Sequence, residues 1–359
     1  MKKETVSFKE TRNFSKKFLN FVENESLSYY PKEENILETL KGLNFSKDSR
    51  EVLFKELDQQ YESFETSSLV KKNIKSVLSD NTFTVTTGHQ LNIFTGPMYV
   101  IYKIVSAIKL SKILSKKYPK YNFVPIYWMA SEDHDFEEIK SFHSNGKTYT
   151  WDIKSNGPVG NLNTETLKNI FNENISIPDF FKDAYSSSSS LSEAVRKYMN
   201  YLFGEYGLIT IDPNSKNLKK NISDIIVDDV VNNTIEKIEK SSDKVSDVYV
   251  RKINFFYQES DLRERIDKTD KYNVLSTSLS FTEEEIKDRI KSSPELFSPN
   301  VITRCLFQQR ILPNVCYLGG PSEIVYWESF KKFFDNYNIP YPVLVPRDFV
   351  LLLTAKVQK

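Results

Sequence analysis

Residues 86 to 97, TTGHQLNIFTGP, place one histidine and two side-chain amides between two glycines. The whole chain has only ten glycines and three histidines in 359 residues, so this composition favours a binding site over an ordinary loop. Gly88 would let the backbone turn or approach a ligand closely, and His89 and Gln90 would supply hydrogen-bond donors and acceptors. We therefore predict an anion-binding side formed by Gly88, His89, Gln90, Asn92, Thr95 and Gly96.

The segment SEDHDFEE, which starts at residue 131, places the carboxylates of Glu132, Asp133 and Asp135 around the imidazole of His134. Its candidate residues are Ser131, Glu132, Asp133, His134 and Asp135. A carboxylate pairs with an ammonium group and a neutral imidazole accepts a proton, so side chains of these types can bind amines and move protons. Asp133, His134 and Asp135 are predicted to hold a substrate amine or to assist proton removal from an attacking nitrogen, with His89 as the fourth catalytic candidate.

A third segment, GGPSE from residue 319, stands where a strand is predicted to run into a helix. Its candidates are Gly319, Gly320, Ser322 and Glu323. The free N–H groups and the positive dipole end of a helix N-terminus attract phosphate or carboxylate groups. Arg347, just past a later strand, is a further candidate partner for such an anion.

The elements around these segments predict an α/β fold. NTFTVTT and FVPIYWMA have the composition of strands, and the residues between them, FTGPMYVIYKIVSAIKLSKILSKKY, carry apolar side chains at helical spacing. In that helix Thr95 is predicted as the N-cap and Pro97 as part of the first turn. Strand, helix and strand in this order indicate a βαβ unit, and parallel sheets bind ligands at the carboxyl ends of their strands. Further strands are predicted at NVCYL and YPVLVP.

The remaining segments predict a core interrupted by modules. Residues 1–80 indicate a helical N-terminal segment, and residues 81–136 the first part of the core. Residues 137–180 indicate a small antiparallel module, residues 181–248 a continuation of the core with a long polar helix, and residues 249–298 a second module. Residues 299–359 return to the core and end in a predicted helix, FVLLLTAKVQK.

Composition argues against several classes of protein. The 49 basic and 48 acidic residues give a net charge of +1, which does not favour a nucleic-acid partner. The two cysteines, Cys305 and Cys316, lack the spacing of a zinc site or a disulfide framework and are predicted to be buried, so no metal is expected. The chain opens without an apolar segment and has no apolar run of membrane-spanning length, so we predict a cytoplasmic protein without a membrane partner.

Each candidate segment also has a plain structural alternative. Gly88 and His89 could form a turn with a hydrogen-bonded histidine, the acidic residues at 132–135 could cap helices or stay solvated, and the glycine pair at 319–320 could serve positive φ angles. His143, in the antiparallel module, is expected to be structural. Convergence of three separate strand ends is what favours a site.

Four separated segments resemble the bacillithiol biosynthesis cysteine-adding enzyme family, BshC. They are TGHQLNIFTGPMYVIYKIVSAIKL, PIYWMASEDHDFEEI, SPNVITRCLFQQRILPNVCYLGGPSEIVYW and PVLVPRD, in the order of the family. The resemblance implies a Rossmann-type core similar to class I nucleotidyltransferases, with connecting modules and a coiled coil that mediates homodimerisation. It also implies the last step of bacillithiol synthesis, in which cysteine is joined to the amine of glucosaminyl-malate. ATP is implied as the activating cosubstrate by analogy with such cores.

Three features depart from the family pattern. Cys305 stands where proline is expected, Ser322 stands where glycine is expected, and the chain stops at Lys359 before the coiled coil. The last feature suggests a fragment or truncated product, so a homodimer is expected only of the complete protein. Two other functions stay open: an adenylate-forming ligase with another amine acceptor, and a non-catalytic ligand-binding remnant.

Overall fold

The computed structural model describes residues 4–144, 146–171 and 176–351. The strands are β1 (Thr82–His89), β2 (Asn122–Met129), β3 (Ser141–Ser144), β4 (Lys147–Thr150), β5 (Ile209–Ile211), β6 (Phe255–Glu259), β7 (Leu262–Lys268), β8 (Tyr272–Val274), β9 (Ser280–Phe281), β10 (Phe297–Pro299), β11 (Asn314–Gly319) and β12 (Val343–Pro346). The α-helices are α1 (Phe8–Thr11), α2 (Lys16–Glu23), α3 (Glu33–Gly42), α4 (Lys47–Tyr61), α5 (Ser68–Ser76), α6 (Met98–Lys117), α7 (Phe136–Ile139), α8 (Lys168–Phe171), α9 (Asp179–Ser186), α10 (Leu191–Phe203), α11 (Lys216–Lys219), α12 (Ser223–Asn232), α13 (Thr234–Ser241), α14 (Glu283–Ser292), α15 (Val301–Ile311) and α16 (Pro321–Asn336).

A five-stranded parallel sheet forms the centre of the fold, in the order β12-β11-β1-β2-β5. β1 and β2 pair over eight residues and are almost wholly buried, as expected of parallel strands covered on both faces. The β-branched residues of β1 suit this position, and the hydroxyls of Thr84 and Thr86 donate to Asn314 Oδ1 on β11 at 3.2 and 2.7 Å. The predicted α/β class with a parallel sheet core is confirmed.

A second sheet, β10-β6-β7-β8-β9, is antiparallel, and β3 and β4 form a separate antiparallel hairpin. The second sheet reaches the carboxyl edge of the parallel sheet, because Phe256, Arg263 and Pro299 line the same cavity as the ends of β1 and β2. Both antiparallel elements lie in segments for which the sequence predicts modules, while the domain boundaries themselves stay a prediction.

The N-terminal residues form helices α1 to α5, as their apolar spacing predicts. Serine side chains start several of them: Ser15, Ser46 and Ser67 each accept a hydrogen bond from a backbone N–H three residues later. The buried faces carry Phe18, Phe21, Leu53 and Leu57, which belong to the same hydrophobic cluster as Ile126 of β2. α2 and α4 therefore cover one face of the parallel sheet, whereas α3 packs in a different cluster with Phe83 and Val85 of β1. None of the described helices combines the length and the apolar character needed to cross a membrane.

The prediction that Thr95 caps the first core helix is wrong. α6 begins at Met98, and Pro97 occupies the N-cap position in an extended conformation. Phe94 and Thr95 have φ angles of 49° and 71°, in the left-handed region, so they cannot continue into a right-handed helix. The N–H of Phe94 donates to the hydroxyl of Tyr185 at 3.0 Å, a tertiary contact that overrides the local capping pattern.

Two further helix predictions need correction. The long polar helix predicted to run to about residue 245 is broken into α11, α12 and α13, because Asn233 takes a left-handed conformation with φ of 56° between the last two. The terminal helix is not formed at residues 347–351, where Phe349 instead packs edge-on against Phe8 and Phe14 with centroids 5.2 and 5.1 Å apart. The rest of that predicted helix, residues 352–359, lies outside the described residues.

Candidate active site

A cavity of about 720 Å³ opens at the carboxyl edge of the parallel sheet. The ends of β1 and β2, the start of α16 and residues of β6, β7, β10 and α15 surround it. Eleven of the residues predicted from the sequence line this cavity: Gly88, His89, Gln90, Ser131, Glu132, Asp133, His134, Gly320, Ser322, Glu323 and Arg347. A cavity of this volume suits small-molecule substrates.

Five predicted residues lie outside the cavity lining: Asn92, Thr95, Gly96, Asp135 and Gly319. The backbone carbonyl of Asn92 accepts from the hydroxyl of Tyr198 at 3.0 Å, and the Asn92 side chain fills the space beside Gly96. Asp135 caps the short helix α7. Gly319 ends β11 where a Cβ would lie 2.9 Å from Glu323 Cβ, so the glycine allows close packing instead of ligand contact.

Lys103 and Glu323 form a buried ion pair in the cavity lining. Lys103, on α6, is 3% exposed; its Nζ contacts Glu323 and donates to the carbonyl of Gly88 at 3.0 Å. Glu323, in the first turn of α16, also accepts from the Tyr317 hydroxyl at 2.7 Å and the Gly320 N–H at 2.8 Å. Burial acts to raise the pKa of Glu323, but Lys103 and these donors outweigh it and lower that pKa. The pair links the end of β1 to the start of α16.

His89 is the last residue of β1, and its ring lies edge-on to Tyr99 with centroids 5.3 Å apart. Burial lowers the pKa of His89 from 6.5 to about 4; the positive charge of Lys103 acts in the same direction, and Glu323 opposes both. The imidazole is therefore neutral at pH 7, and one ring nitrogen keeps a lone pair. A neutral imidazole in a cavity can accept a proton from an attacking nucleophile.

Asp133 is engaged in hydrogen bonds within the site. Its Oδ2 accepts from Gln90 Nε2 at 2.7 Å, and its Oδ1 accepts from the backbone N–H groups of His134 at 2.8 Å and Asp135 at 3.3 Å. Gln90 follows β1 and Asp133 follows β2, so this contact joins two of the strand ends expected to converge. With three donors on its oxygens, the carboxylate orders the loop after β2.

Arg263 of β7 brings a guanidinium group against His134, with Nη1 2.6 Å from His134 Nδ1. Its Nε donates to Ser298 Oγ at 2.8 Å, its Nη2 donates to the carbonyl of Pro299 at 3.0 Å, and the group lies over the Phe256 ring at 3.9 Å. Burial lowers the pKa of His134, and the positive charge of Arg263 lowers it further. His134 is therefore also neutral at pH 7.

Ser131 and Glu132 anchor the loop after β2 to neighbouring parts of the chain. Ser131 Oγ donates to Asp212 Oδ1 at 2.5 Å, and Glu132 pairs with Lys219, which is fully buried. Burial lowers the pKa of Lys219, whereas Glu132 acts to raise it. Removing one partner of so deeply buried a pair leaves the other charge uncompensated, so Glu132 and Lys219 hold the loop in place.

Two guanidinium groups face the region near Gly88 and the start of α16. Asn300 starts α15 by accepting from the N–H groups two and three residues later, and Arg304 follows one turn on, in the cavity lining. A Cβ on Gly88 would lie 3.7 Å from Arg304 Nη1, in ordinary contact. Arg347 follows β12, and its buried Nε has no hydrogen-bond partner among the described residues.

The cavity lining carries a net positive charge. Five cationic residues line it: Lys103, Arg251, Arg263, Arg304 and Arg347. Three carboxylates line it: Glu132, Asp133 and Glu323. The difference of two positive charges favours ligands that carry carboxylate or phosphate groups.

Four of these five cations were not predicted from the sequence. Lys103 could have been found, because it occupies the apolar stripe of α6 between Val100 and Ala107, where a lysine signals a buried charge. Arg304 and Arg263 carry no such pattern. Arg263 in particular belongs to the second sheet, and only the fold brings it to His134.

The remaining chemical candidates lie away from the cavity lining. Cys305 and Cys316 are buried and free, and burial raises the pKa of each thiol to about 12. His143 lies in the β3–β4 hairpin and bonds to Thr148 Oγ1 at 2.8 Å. Across residues 4–144, 146–171 and 176–351, no group of three or more His, Cys, Asp or Glu side chains is arranged to hold a metal ion.

The chain is similar in sequence to a known protein family and to several of its members. The sequence model of a family described as "Bacillithiol biosynthesis BshC, N-terminal Rossmann-like domain" matches residues 1–348. The chain is 41% identical to a protein of Flavobacterium johnsoniae and 42% identical to one of Flavobacterium psychrophilum, each alignment covering 100% of this chain and 72% of the relative. It is 38% identical to a protein of Cytophaga hutchinsonii, over 98% of this chain and 70% of the relative. All three relatives carry the name "Putative cysteine ligase BshC".

Proposed function

The chain belongs to the bacillithiol biosynthesis BshC family, and we propose that it joins the carboxyl group of L-cysteine to the amine of glucosaminyl-malate, the last step of that pathway. The observation that carries this proposal is the net positive cavity at the carboxyl edge of the sheet. Malate contributes carboxylates and cysteine contributes the carboxylate that reacts, so both substrates complement such a lining.

In the proposed reaction the substrate nitrogen attacks the carboxyl carbon of cysteine. A C–N bond forms, the C–O bond to the activated oxygen breaks, and the nitrogen loses one proton. His89 would accept that proton, because its neutral ring lies at the end of β1 in the cavity lining. Arg304 and Arg347 would bind substrate carboxylates, and the Gln90–Asp133 hydrogen bond would hold the two strand-end loops in register.

A nucleoside triphosphate is the activating cosubstrate that the resemblance implies. The residues that fit its phosphates are Ser322, in the first turn of the 16-residue helix α16, and Arg347, which follows β12, because a helix N-terminus and a guanidinium both bind phosphate oxygens. Thr95 and Gly96 lie outside the cavity lining, so we place the anion-binding side at α16 instead. A triphosphate bound there would supply the phosphoryl or adenylyl group that turns the cysteine carboxyl oxygen into a leaving group, and that group would depart with the oxygen when the C–O bond breaks.

The test uses the purified chain with L-cysteine and glucosaminyl-malate, with and without ATP, and detects the product by mass spectrometry. We expect cysteinyl-glucosaminyl-malate only when ATP is present. His89→Ala should lower kcat about a hundredfold or more through loss of the proton acceptor, with His143→Ala as the control outside the cavity. A folded parent chain that makes no product under any nucleotide condition would contradict the ligase proposal.

The anion-binding role of Arg304 has its own matched control. Losing one charge-assisted hydrogen bond costs about 1.5–3 kcal/mol, so Arg304→Met should raise the KM of the substrate it holds roughly 10- to 150-fold. Arg310→Met, on the same helix but paired with Asp224 at 2.9 Å outside the lining, should leave KM unchanged. Equal KM values for the two variants would show that Arg304 does not bind the substrate.

A further inference from the structure

The neighbour that contacts His134 can only donate hydrogen bonds. Arg263 Nη1 lies 2.6 Å from His134 Nδ1, and a guanidinium group has N–H donors, no acceptor, and stays protonated in proteins. Nδ1 must therefore act as the acceptor, which means that it carries no proton. A neutral imidazole has one N–H, so His134 carries its proton on Nε2.

The surroundings of Arg263 fix this arrangement. Besides His134, its donors bond to Ser298 Oγ and to the carbonyl of Pro299, and its flat face lies over the Phe256 ring. The residue is only 7% exposed. Turning the guanidinium away from His134 would also break contacts to β10, so the second sheet determines which ring nitrogen of His134 is protonated.

The acidic groups near His134 do not compete for Nδ1. Asp133 Oδ1 lies 3.7 Å from Nδ1, beyond hydrogen-bond distance, and already accepts two backbone N–H groups. Asp133, Asp135 and Glu264 act to raise the pKa of His134, but burial and Arg263 outweigh them and the pKa is lowered. The ring therefore stays neutral at pH 7.

We propose that Arg263 is a positioning residue that keeps His134 neutral with its proton on Nε2, so that His134 donates a hydrogen bond to the reacting carboxyl oxygen instead of accepting a proton. The inference rests on the proposed function for the identity of that oxygen. The oxygen gains negative charge as the nitrogen attacks, and a preplaced donor stabilises that charge. The proton from the nitrogen then goes to His89, because both ring nitrogens of His134 are already committed.

The protonation state can be measured without any reaction. The chain has three histidines, so ¹⁵N-histidine labelling with His89→Ala and His134→Gln as assignment variants identifies each ring. Long-range ¹H–¹⁵N correlation at pH 7 should show the Nε2–H form for His134. Arg263→Met should give a mixture of the two forms and raise the pKa of His134, because a positive charge is removed while the nearby carboxylates remain.

Arg265→Met is the matched control, since Arg265 lies two residues further along β7 and is exposed. It should leave the spectrum of His134 unchanged. An Nδ1–H form or a charged ring of His134 in the parent chain would overturn the inference, whether or not the chain has ligase activity. A failure of the ligase proposal and a failure of this inference are therefore distinguishable.

Kinetics separate a donor from a proton acceptor at position 134. Glutamine keeps an N–H donor near the position of Nε2 but cannot accept a proton at pH 7, whereas alanine does neither. We expect His134→Gln to stay within about tenfold of the parent kcat and His134→Ala to lose roughly 10²- to 10³-fold. Arg263→Met should lower kcat more than it raises KM. Equal losses in the glutamine and alanine variants would assign proton transfer to His134 and refute the donor role.

Discussion

Replacing Lys103 by methionine would leave the Glu323 carboxylate without its cation. The Lys103 side chain is 4% exposed and that of Glu323 is 19% exposed, so little water could replace the lost contact. Removing one partner of a buried ion pair costs about 3–5 kcal/mol. Because Glu323 is partly open and keeps its bonds from Tyr317 and Gly320, we expect about 2–4 kcal/mol. With 359 residues, this corresponds to a melting temperature lower by about 3–5 °C.

A double-mutant cycle identifies the charge as the cause. Glu323→Gln removes the negative charge but keeps an acceptor oxygen. The double variant carries neither charge of the pair, so no unpaired charge is buried. Its loss of unfolding free energy should be smaller than the sum of the two single losses by about 1–3 kcal/mol. Urea unfolding of all four proteins at pH 7, followed by circular dichroism, measures these values. Single losses that add to within about 0.5 kcal/mol would refute the reasoning.

Acid provides a second check on the same pair. The folded-state pKa of Glu323 lies below its usual 4.5, so its ionisation stabilises the fold above about pH 4.5, and this contribution is lost as the pH falls through the lower folded value. Without Lys103 that pKa should rise. The stability difference between the parent and Lys103→Met should therefore shrink below about pH 4.5. If the difference in unfolding free energy stays constant below about pH 4.5, the loss comes from the packing of the Lys103 side chain and not from the ion pair.

Two further predictions concern stability away from the cavity. Gly96→Ala puts a methyl group 2.5 Å from Asn92 Cβ at a φ of +68°, so it should lower the free energy of unfolding by about 2–4 kcal/mol. The control Gly146→Ala, at a φ of +76° in open space, should lower it by about 1 kcal/mol. Equal losses for the two variants in urea unfolding would reject the steric cause. Burial raises the pKa of Asp229 from 3.8 to about 7. Between about pH 4 and pH 7 this carboxyl group is ionised in the unfolded chain but protonated in the folded one, so the free energy of unfolding of the parent should fall as the pH rises through this range. Asp229→Asn should flatten this dependence, and parallel curves of unfolding free energy against pH would contradict it.

The predictions from sequence were strongest where a residue's neighbours along the chain determine its position. The runs that became β1, β2, β11 and β12 are short, rich in apolar or β-branched residues and followed by glycine or polar residues, so their ends could be predicted together. Because parallel strands share a carboxyl edge, His89, Asp133 and Glu323 could be expected to meet. The structure brings all three to one cavity.

The predictions were weakest where tertiary contacts decide. Thr95 has the residue type of an N-cap, yet the ring of Phe94 packs edge-on against Phe181 and Tyr185, and that packing holds the backbone in the left-handed region. Arg263 is one of many charged residues in its segment, and nothing local links it to a histidine 129 positions earlier. Sequence patterns report local periodicity, whereas the pairing of an inserted sheet with the core depends on the whole fold.

The order of strands in the parallel sheet has a consequence for protein synthesis. β1 lies between β2 and β11, yet Thr84 and its hydrogen-bond partner Asn314 are 230 residues apart. A ribosome adds about 5–20 residues per second, so β1 waits on the order of 10–50 seconds for its second neighbour. During that interval one edge of a strand rich in β-branched residues exposes backbone N–H and C=O groups to other nascent chains. A chaperone that covers this edge during translation would protect the strand that carries His89.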